Sequence, residues 1–159
     1  MPGRSTPATA QLRKNGVAHT VHPYEHDPRS TAYGDEAAAA LGVDPHRIFK
    51  TLVVRVDDQR LGVAVVPVAA TLDLKAFAAA VGGKRAALAA QTDAERVTGY
   101  VRGGISPLGQ RRHLPTVVDA SATELPTMFV SAGRRGLQVE LAPPDLVRLT
   151  TATVAAVSS

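Results

Sequence analysis

The chain is 159 residues long with a net charge of +4, and 45% of its residues are apolar against 20% charged, which excludes a disordered chain and fits one domain spanning 1–159. The absence of cysteine removes disulfides, thiolate metal sites and a cysteine nucleophile together. No basic start leads into an apolar stretch, and no run approaches the ~18 apolar residues of a membrane span, so a cytoplasmic protein with no membrane partner is expected.

In chain order, the first predicted helix runs from Pro7 to Asn15, with Gly16 just past its end. Val17 to Tyr24 alternates as a short strand, and Glu25 to Pro28 reads as a loop. Asp35 to Leu41 is an Ala-rich helix closed by Gly42, and Asp44-Pro45 opens a short helical turn. Two β-branched runs, Leu52–Val56 and Leu61–Val66, flank Asp57 to Arg60 and predict a hairpin. Leu72 to Val81 is helical with Asp73 in its first turn, and Thr92 to Val97 is a further short helix. Thr116–Val118, Met128–Ser131 and Leu137–Leu141 read as strands, and Pro143-Pro144 opens a last helix through Leu149, after which the chain is expected to fray. With no Trp and 27 Ala, the core has to be built from small and aliphatic side chains. Hairpins mixed with helices and no steady βαβ rhythm give an α+β class.

The charge is unevenly placed. Residues 84–135 carry eight basic and four acidic side chains, a surplus of +4 that equals the net charge of the whole chain. It includes Lys84-Arg85, Arg111-Arg112-His113 and Arg134-Arg135, which suit contact with phosphates or, equally, a solvated surface.

Among chemically capable residues, His19, His22 and His26 fall close together, but their spacing matches no known helical or finger-type metal site, and no metal is expected. Nucleophile-elbow, P-loop and dinucleotide-binding motifs are absent. Lys50 enters an apolar strand, Lys50-Thr51-Leu52-Val53-Val54, so it either snorkels to water or provides a fixed cation at a cleft. Gly99 to Gln110 holds four glycines and a proline in twelve residues. Such a segment is a loop, either a plain connection or one whose backbone N–H groups converge on an acceptor.

Tyr24-Glu25-His26-Asp27, Gly34-Asp35-Glu36, Phe49-Lys50-Thr51-Leu52, Gly103 to Gln110, Leu114-Pro115-Thr116 and Arg135-Gly136-Leu137 occur in this order. Together they resemble the YbaK/EbsC type of aminoacyl-tRNA deacylase, the free-standing relatives of the editing domain in bacterial prolyl-tRNA synthetases, over about Thr6 to Leu149. The resemblance implies a mixed, mostly antiparallel sheet or partial barrel surrounded by helices. It also implies clearance of mischarged tRNA, chiefly Cys-tRNA(Pro) and also Cys-tRNA(Cys), without a cofactor and beside prolyl-tRNA synthetase. Lys50 then holds the terminal adenosine or its phosphate, and Gly103 and Gly104 cradle the aminoacyl carbonyl through the backbone. Tyr24, Tyr33, Thr51, Ile105, Ser106, Pro107 and Gln138 fall on the substrate side, with Arg111, Arg112, Arg134 and Arg135 as tRNA contacts.

In this family the thiol of the substrate is thought to attack its own ester and leave as a cyclic thiolactone. A chain without cysteine, elbow serine or base–nucleophile pair suits that chemistry, because positioning alone can supply ~7–11 kcal/mol to an intramolecular attack. Two positions depart from the family pattern: Gln138 stands where Asp is common, and Tyr33 where Phe is usual. Related subfamilies clear Ala, Ser or Thr with a catalytic water, so that reading stays open, as does a non-catalytic module that binds tRNA ends.

Overall fold

The computed structural model describes residues 5–159; the first four residues of the expected 1–159 domain lie outside the described residues. Five helices and eight strands follow in the order α1 Pro7–Lys14, β1 His19–Pro23, α2 Tyr33–Leu41, β2 Phe49–Val56, β3 Arg60–Pro67, α3 Leu74–Ala80, β4 Ala86–Leu88, α4 Gln91–Thr98, β5 Thr116–Asp119, β6 Met128–Arg134, β7 Leu137–Leu141, α5 Pro143–Thr150 and β8 Thr153–Ala155. A 3₁₀ turn at Ala120–Glu124 joins β5 to β6. The α+β class read from the sequence is what the chain forms.

One sheet has three antiparallel strands in the order β1-β7-β6, and the other has five in the order β4-β2-β3-β5-β8. Within the larger sheet β4, β2 and β3 are antiparallel, whereas β3-β5 and β5-β8 are parallel. The β2–β3 hairpin turns through the three residues Asp57-Asp58-Gln59, with Asp57 and Asp58 both at positive φ. The two sheets meet where Ile48 bridges Phe129 and the Phe129 N–H donates to the Arg47 carbonyl.

Strand alternation sorts β2 between two apolar clusters. Phe49 and Val53 join the main core with Val130, Leu137 and Val139 of the small sheet, while Val54 and Val56 pack with Phe77 of α3 and Val157. The core is aliphatic as composition requires, with Phe77, Leu12, Ile48 and Leu108 among its largest fully buried side chains.

Three expectations need correction. The C-terminal residues do not fray: β8 adds a parallel strand to β5, and Thr71 and Ser159 exchange backbone hydrogen bonds. Val157 is fully buried and donates its N–H to the Asp119 carboxylate. The second strand of the small sheet runs on to Arg134 across an irregularity after Ser131, which bends it toward the glycine loop. Asp44-Pro45 makes a hydrogen-bonded turn, with the His46 N–H on the Asp44 carboxylate, and not a helix.

Candidate active site

The cleft arises from a split between the sheets. Among the described residues β2 forms no strand pairing with β6, which meets the chain just before β2 at the Ile48–Phe129 bridge, and β4 pairs with β2 only at Val54–Val56, joined by the Ala89 N–H on the Val53 carbonyl. Among the described residues, the β2 edge from Phe49 to Leu52 therefore carries no strand on that side. A cavity of about 540 Å³ opens there. It is bounded by Ser131 and Gln138 of the small sheet, by Leu88, Ala89, Gln91 and Ala94 around the start of α4, and by Tyr33, Arg102, Gly103 and Ile105.

Lys50 and Thr51 lie on the uncovered edge. Lys50 is half-buried, and no acidic group pairs with it among the described residues. Thr51 shares the face of Phe49 and Val53, so its hydroxyl is carried toward the core side of the cleft. Gln138 is 7% exposed, in register with Ser131 on one neighbour and His22 on the other. The Thr51 Oγ1 and Gln138 Oε1 atoms are both buried without a hydrogen-bond partner among the described residues. Two orphaned polar atoms in one cavity are uncommon, because each costs ~1–3 kcal/mol unless something occupies it. They mark the floor of a site built for a polar guest.

The glycine loop divides into two roles. Gly103 lines the cavity at φ +84, and a Cβ there would stand 2.7 Å from the Tyr33 ring, so only glycine fits. Gly104 is buried against the backbone of Arg134 and Arg135, where a Cβ would meet the Arg134 Cα at 2.5 Å. Its N–H already donates to the Val101 carbonyl, so Gly104 shapes the loop and does not offer its amide to the cavity. Ser106 and Pro107 are buried and lie outside the cavity lining; the Ser106 hydroxyl accepts the Leu108 N–H, and Pro107 borders a separate small pocket with Arg112. Arg111 runs back toward the Arg96 carbonyl. Thus Arg111 and Arg112 do not join the cavity, whereas Arg134 and Arg135 flank it through the contact with Gly104.

Tyr24 stands beside the floor: its side chain reaches the Gln138 amide, and burial pushes its phenol above the usual range. Sequence reasoning missed Arg102, Gln91, Phe49 and Leu88 as lining residues, although the glycine loop next to Arg102 was a signal for the first. The three neighbouring histidines are used structurally. His22 pairs with Glu140 at 2.9 Å, His26 with Glu36 at 2.6 Å, and His19 Nδ1 lies 2.7 Å from the Val17 carbonyl oxygen. The Thr127 hydroxyl, followed by His22 and Arg47, holds the Glu140 carboxyl below its ordinary value. Arg47 also hydrogen-bonds Thr127, so this network fastens the sheets together beside the Ile48–Phe129 bridge.

No helix among the described residues is long and apolar enough to cross a membrane. The only serine lining the cavity, Ser131, accepts the Gly133 N–H and has no imidazole or carboxylate hydrogen-bonded to it among the described residues.

Residues 26–149 match the family model of the aminoacyl-tRNA editing domain. The chain is 40% identical over 125 residues to an Enterococcus faecalis protein named "Putative Cys-tRNA(Pro)/Cys-tRNA(Cys) deacylase EbsC", covering 79% of this chain and 76% of that one. It is 30% identical over 117 residues to the uncharacterized protein YwhH of Bacillus subtilis, with 74% of each chain covered. Among solved structures, hypothetical protein APE2540 superposes with a TM-score of 0.86 at 27% identity, covering 97% of this chain and all of that one. A "putative trans-editing enzyme for prolyl tRNA synthetase" gives 0.80 at 26% identity, with 98% of both chains covered. From the matched span, the relatives and the cleft, the chain belongs to the aminoacyl-tRNA editing family and is an aminoacyl-tRNA deacylase of the YbaK type.

Proposed function

We propose that this deacylase clears chiefly Cys-tRNA(Pro), and also Cys-tRNA(Cys), by using the thiol of the substrate, and that it acts beside prolyl-tRNA synthetase. The observation that carries the reading is the cleft itself: Lys50, a cation without a direct acidic partner among the described residues, shares it with two buried polar atoms without partners, Thr51 Oγ1 and Gln138 Oε1. The names of the Enterococcus relative and of the trans-editing structure support the choice of amino acid and of synthetase.

In this reading Lys50 holds an oxygen of the terminal nucleotide, and Gln138 Oε1 with Thr51 Oγ1 accepts hydrogen bonds from the α-amino group. Gly103 seats the Tyr33 ring against the loop and so shapes the wall the substrate meets. Held in this way, the cysteinyl thiolate attacks the ester carbonyl carbon. The acyl–oxygen bond to the ribose breaks, the ribose hydroxyl recovers a proton, and the cysteine leaves as a cyclic thiolactone. The protein supplies orientation and charge, which an intramolecular attack can convert into ~7–11 kcal/mol. Apolar neighbours such as Phe49 and Val53 limit the side chain by size.

A deacylation panel with Cys-, Ala-, Ser- and Pro-charged tRNA(Pro) tests this. Cys should be cleared fastest and Pro spared. Rapid clearing of Ala or Ser would replace the reading with a water-based editor, the two orphaned acceptors then holding the water.

A further inference from the structure

Tyr33, Arg102 and Arg135 form an arrangement that the deacylation chemistry does not use. The Arg135 guanidinium lies 4.9 Å from the centroid of the Tyr33 ring, and its Nε donates to the Arg102 carbonyl at 2.7 Å. The Arg102 guanidinium lies 6.0 Å from the same ring. The Arg102 backbone is fixed in turn, since its N–H donates to Glu95 Oε2 at 2.9 Å. The ring rests on Gly103, at the cavity wall, and His26 stands 6.0 Å from it.

Exposed arginines ordinarily sample many rotamers, yet both of these are tethered to one aromatic ring at the cleft. Neither forms a direct ion pair with a carboxylate among the described residues; Glu95 Oε2 takes both the Arg102 N–H and the Gln91 amide, and these bonds, helped by the more distant Arg135 charge, hold the Glu95 carboxyl below its usual range. A ring already in contact with Gly103 and a guanidinium is a poor platform for a base. Two guanidiniums that share one ring and have no direct carboxylate partner instead match the oxygens of a phosphodiester, which planar forks bind with defined geometry.

We propose that Arg102 and Arg135, positioned by Tyr33, clamp the phosphodiester that joins the terminal nucleotide of the tRNA to the preceding one. This rests on the reading of the cleft as the seat of the aminoacylated terminal nucleotide. It separates two jobs: Lys50 and the cavity floor take the reacting end, and the clamp fixes the strand that delivers it.

The test uses the full chain. Binding of uncharged tRNA is measured across a salt series for the wild type, for Arg102→Ala/Arg135→Ala, and for Lys84→Ala/Arg85→Ala, which removes two charges outside the cavity lining. The first variant should flatten the slope of log K against log salt by roughly 0.7, the value for one neutralised single-strand phosphate. The second should flatten it far less. With tRNA lacking its three terminal nucleotides, the wild type and the Arg102/Arg135 variant should bind alike. An unchanged slope, an equal loss in the Lys84/Arg85 variant, or a difference that persists on truncated tRNA would overturn the clamp.

A second readout compares kcat/KM on a cysteinylated CCA trinucleotide with that on cysteinyl-adenosine. The preference for the trinucleotide should fall at least fivefold in Arg102→Ala/Arg135→Ala and in Tyr33→Leu. A parallel drop on both substrates would give Tyr33 a merely structural role. Failure of the wild type to cleave either substrate would sink the deacylation reading alone, because the salt series on uncharged tRNA decides the clamp by itself.

Discussion

Replacing Lys50 with alanine separates function from stability more cleanly than any other change in the cleft. The side chain sits on the stretch of β2 that no strand covers, half-buried and without an acidic partner among the described residues, so no buried charge is stranded by its loss. A substitution of that kind shifts stability by about 0.5 kcal/mol or less, or roughly 2 °C in Tm for a chain of this size. In the proposed binding mode the substrate would lose a hydrogen bond to a charged group, worth ~1.5–3 kcal/mol. That corresponds to a drop in kcat/KM of roughly 10- to 150-fold, and to more if the contact strengthens in the transition state. Lys50→Arg should not restore the rate, since a planar fork cannot replace a compact ammonium in a fixed cavity. The assay is single-turnover deacylation of Cys-tRNA(Pro) alongside a thermal melt. Near-wild-type turnover, or loss of activity that merely tracks loss of folded protein, would refute the reasoning.

Other outcomes follow from particular contacts. Gly103→Ala forces a Cβ to within 2.7 Å of Tyr33 at φ +84, so it should cost about 1–2 kcal/mol and slow deacylation together, as read by melting and kinetics. Asp119→Ala strands the N–H of fully buried Val157 and releases the C-terminal strand; a loss of about 1–3 kcal/mol, seen as a Tm lower by roughly 2–12 °C with deacylation retained below the melt, is expected. Glu140 is held below its ordinary value of 4.5, so its stabilising contribution is full above that pH and is lost as pH falls through the lower folded value. Glu140→Gln should therefore show a weaker loss of stability on the acid side of about pH 4.5 than the wild type in urea melts at stepped pH; equal acid sensitivity would remove Glu140 from the account.

Local signals made much of this legible. The β2–β3 hairpin declares itself through β-branched runs around Asp57-Asp58, and the helices through Pro, Asp and Gly at their ends. Lys50, Thr51, Gly103 and Gln138 were placed by the family resemblance, and all four line one cavity. What local signals could not show is non-local pairing. The β4 strand, Ala86-Ala87-Leu88, has weak strand propensity and exists because β2 offers an edge at Val54–Val56. β8 likewise forms only because β5 is already in place as a parallel partner. The split that leaves Phe49–Leu52 uncovered depends on where both β4 and β6 stop, so Arg102, Gln91 and Leu88 enter the cleft from segments the sequence does not connect to Lys50. The basic clusters show the same limit: charge runs do not say which face they share, and of the three it is Arg134-Arg135 that packs against Gly104 while Arg112 borders the separate small pocket.

In the proposed reaction the protein contributes position and charge while the substrate contributes the nucleophile. Rapid-quench analysis of the first product released from Cys-tRNA(Pro), with Ser-tRNA(Pro) run in parallel, tests it most directly. A cyclic thiolactone as the first product and far slower release of Ser are expected, because a hydroxyl is much less ionised than a thiol near neutral pH. Free cysteine as the first product, with Cys and Ser released at similar rates, would contradict it.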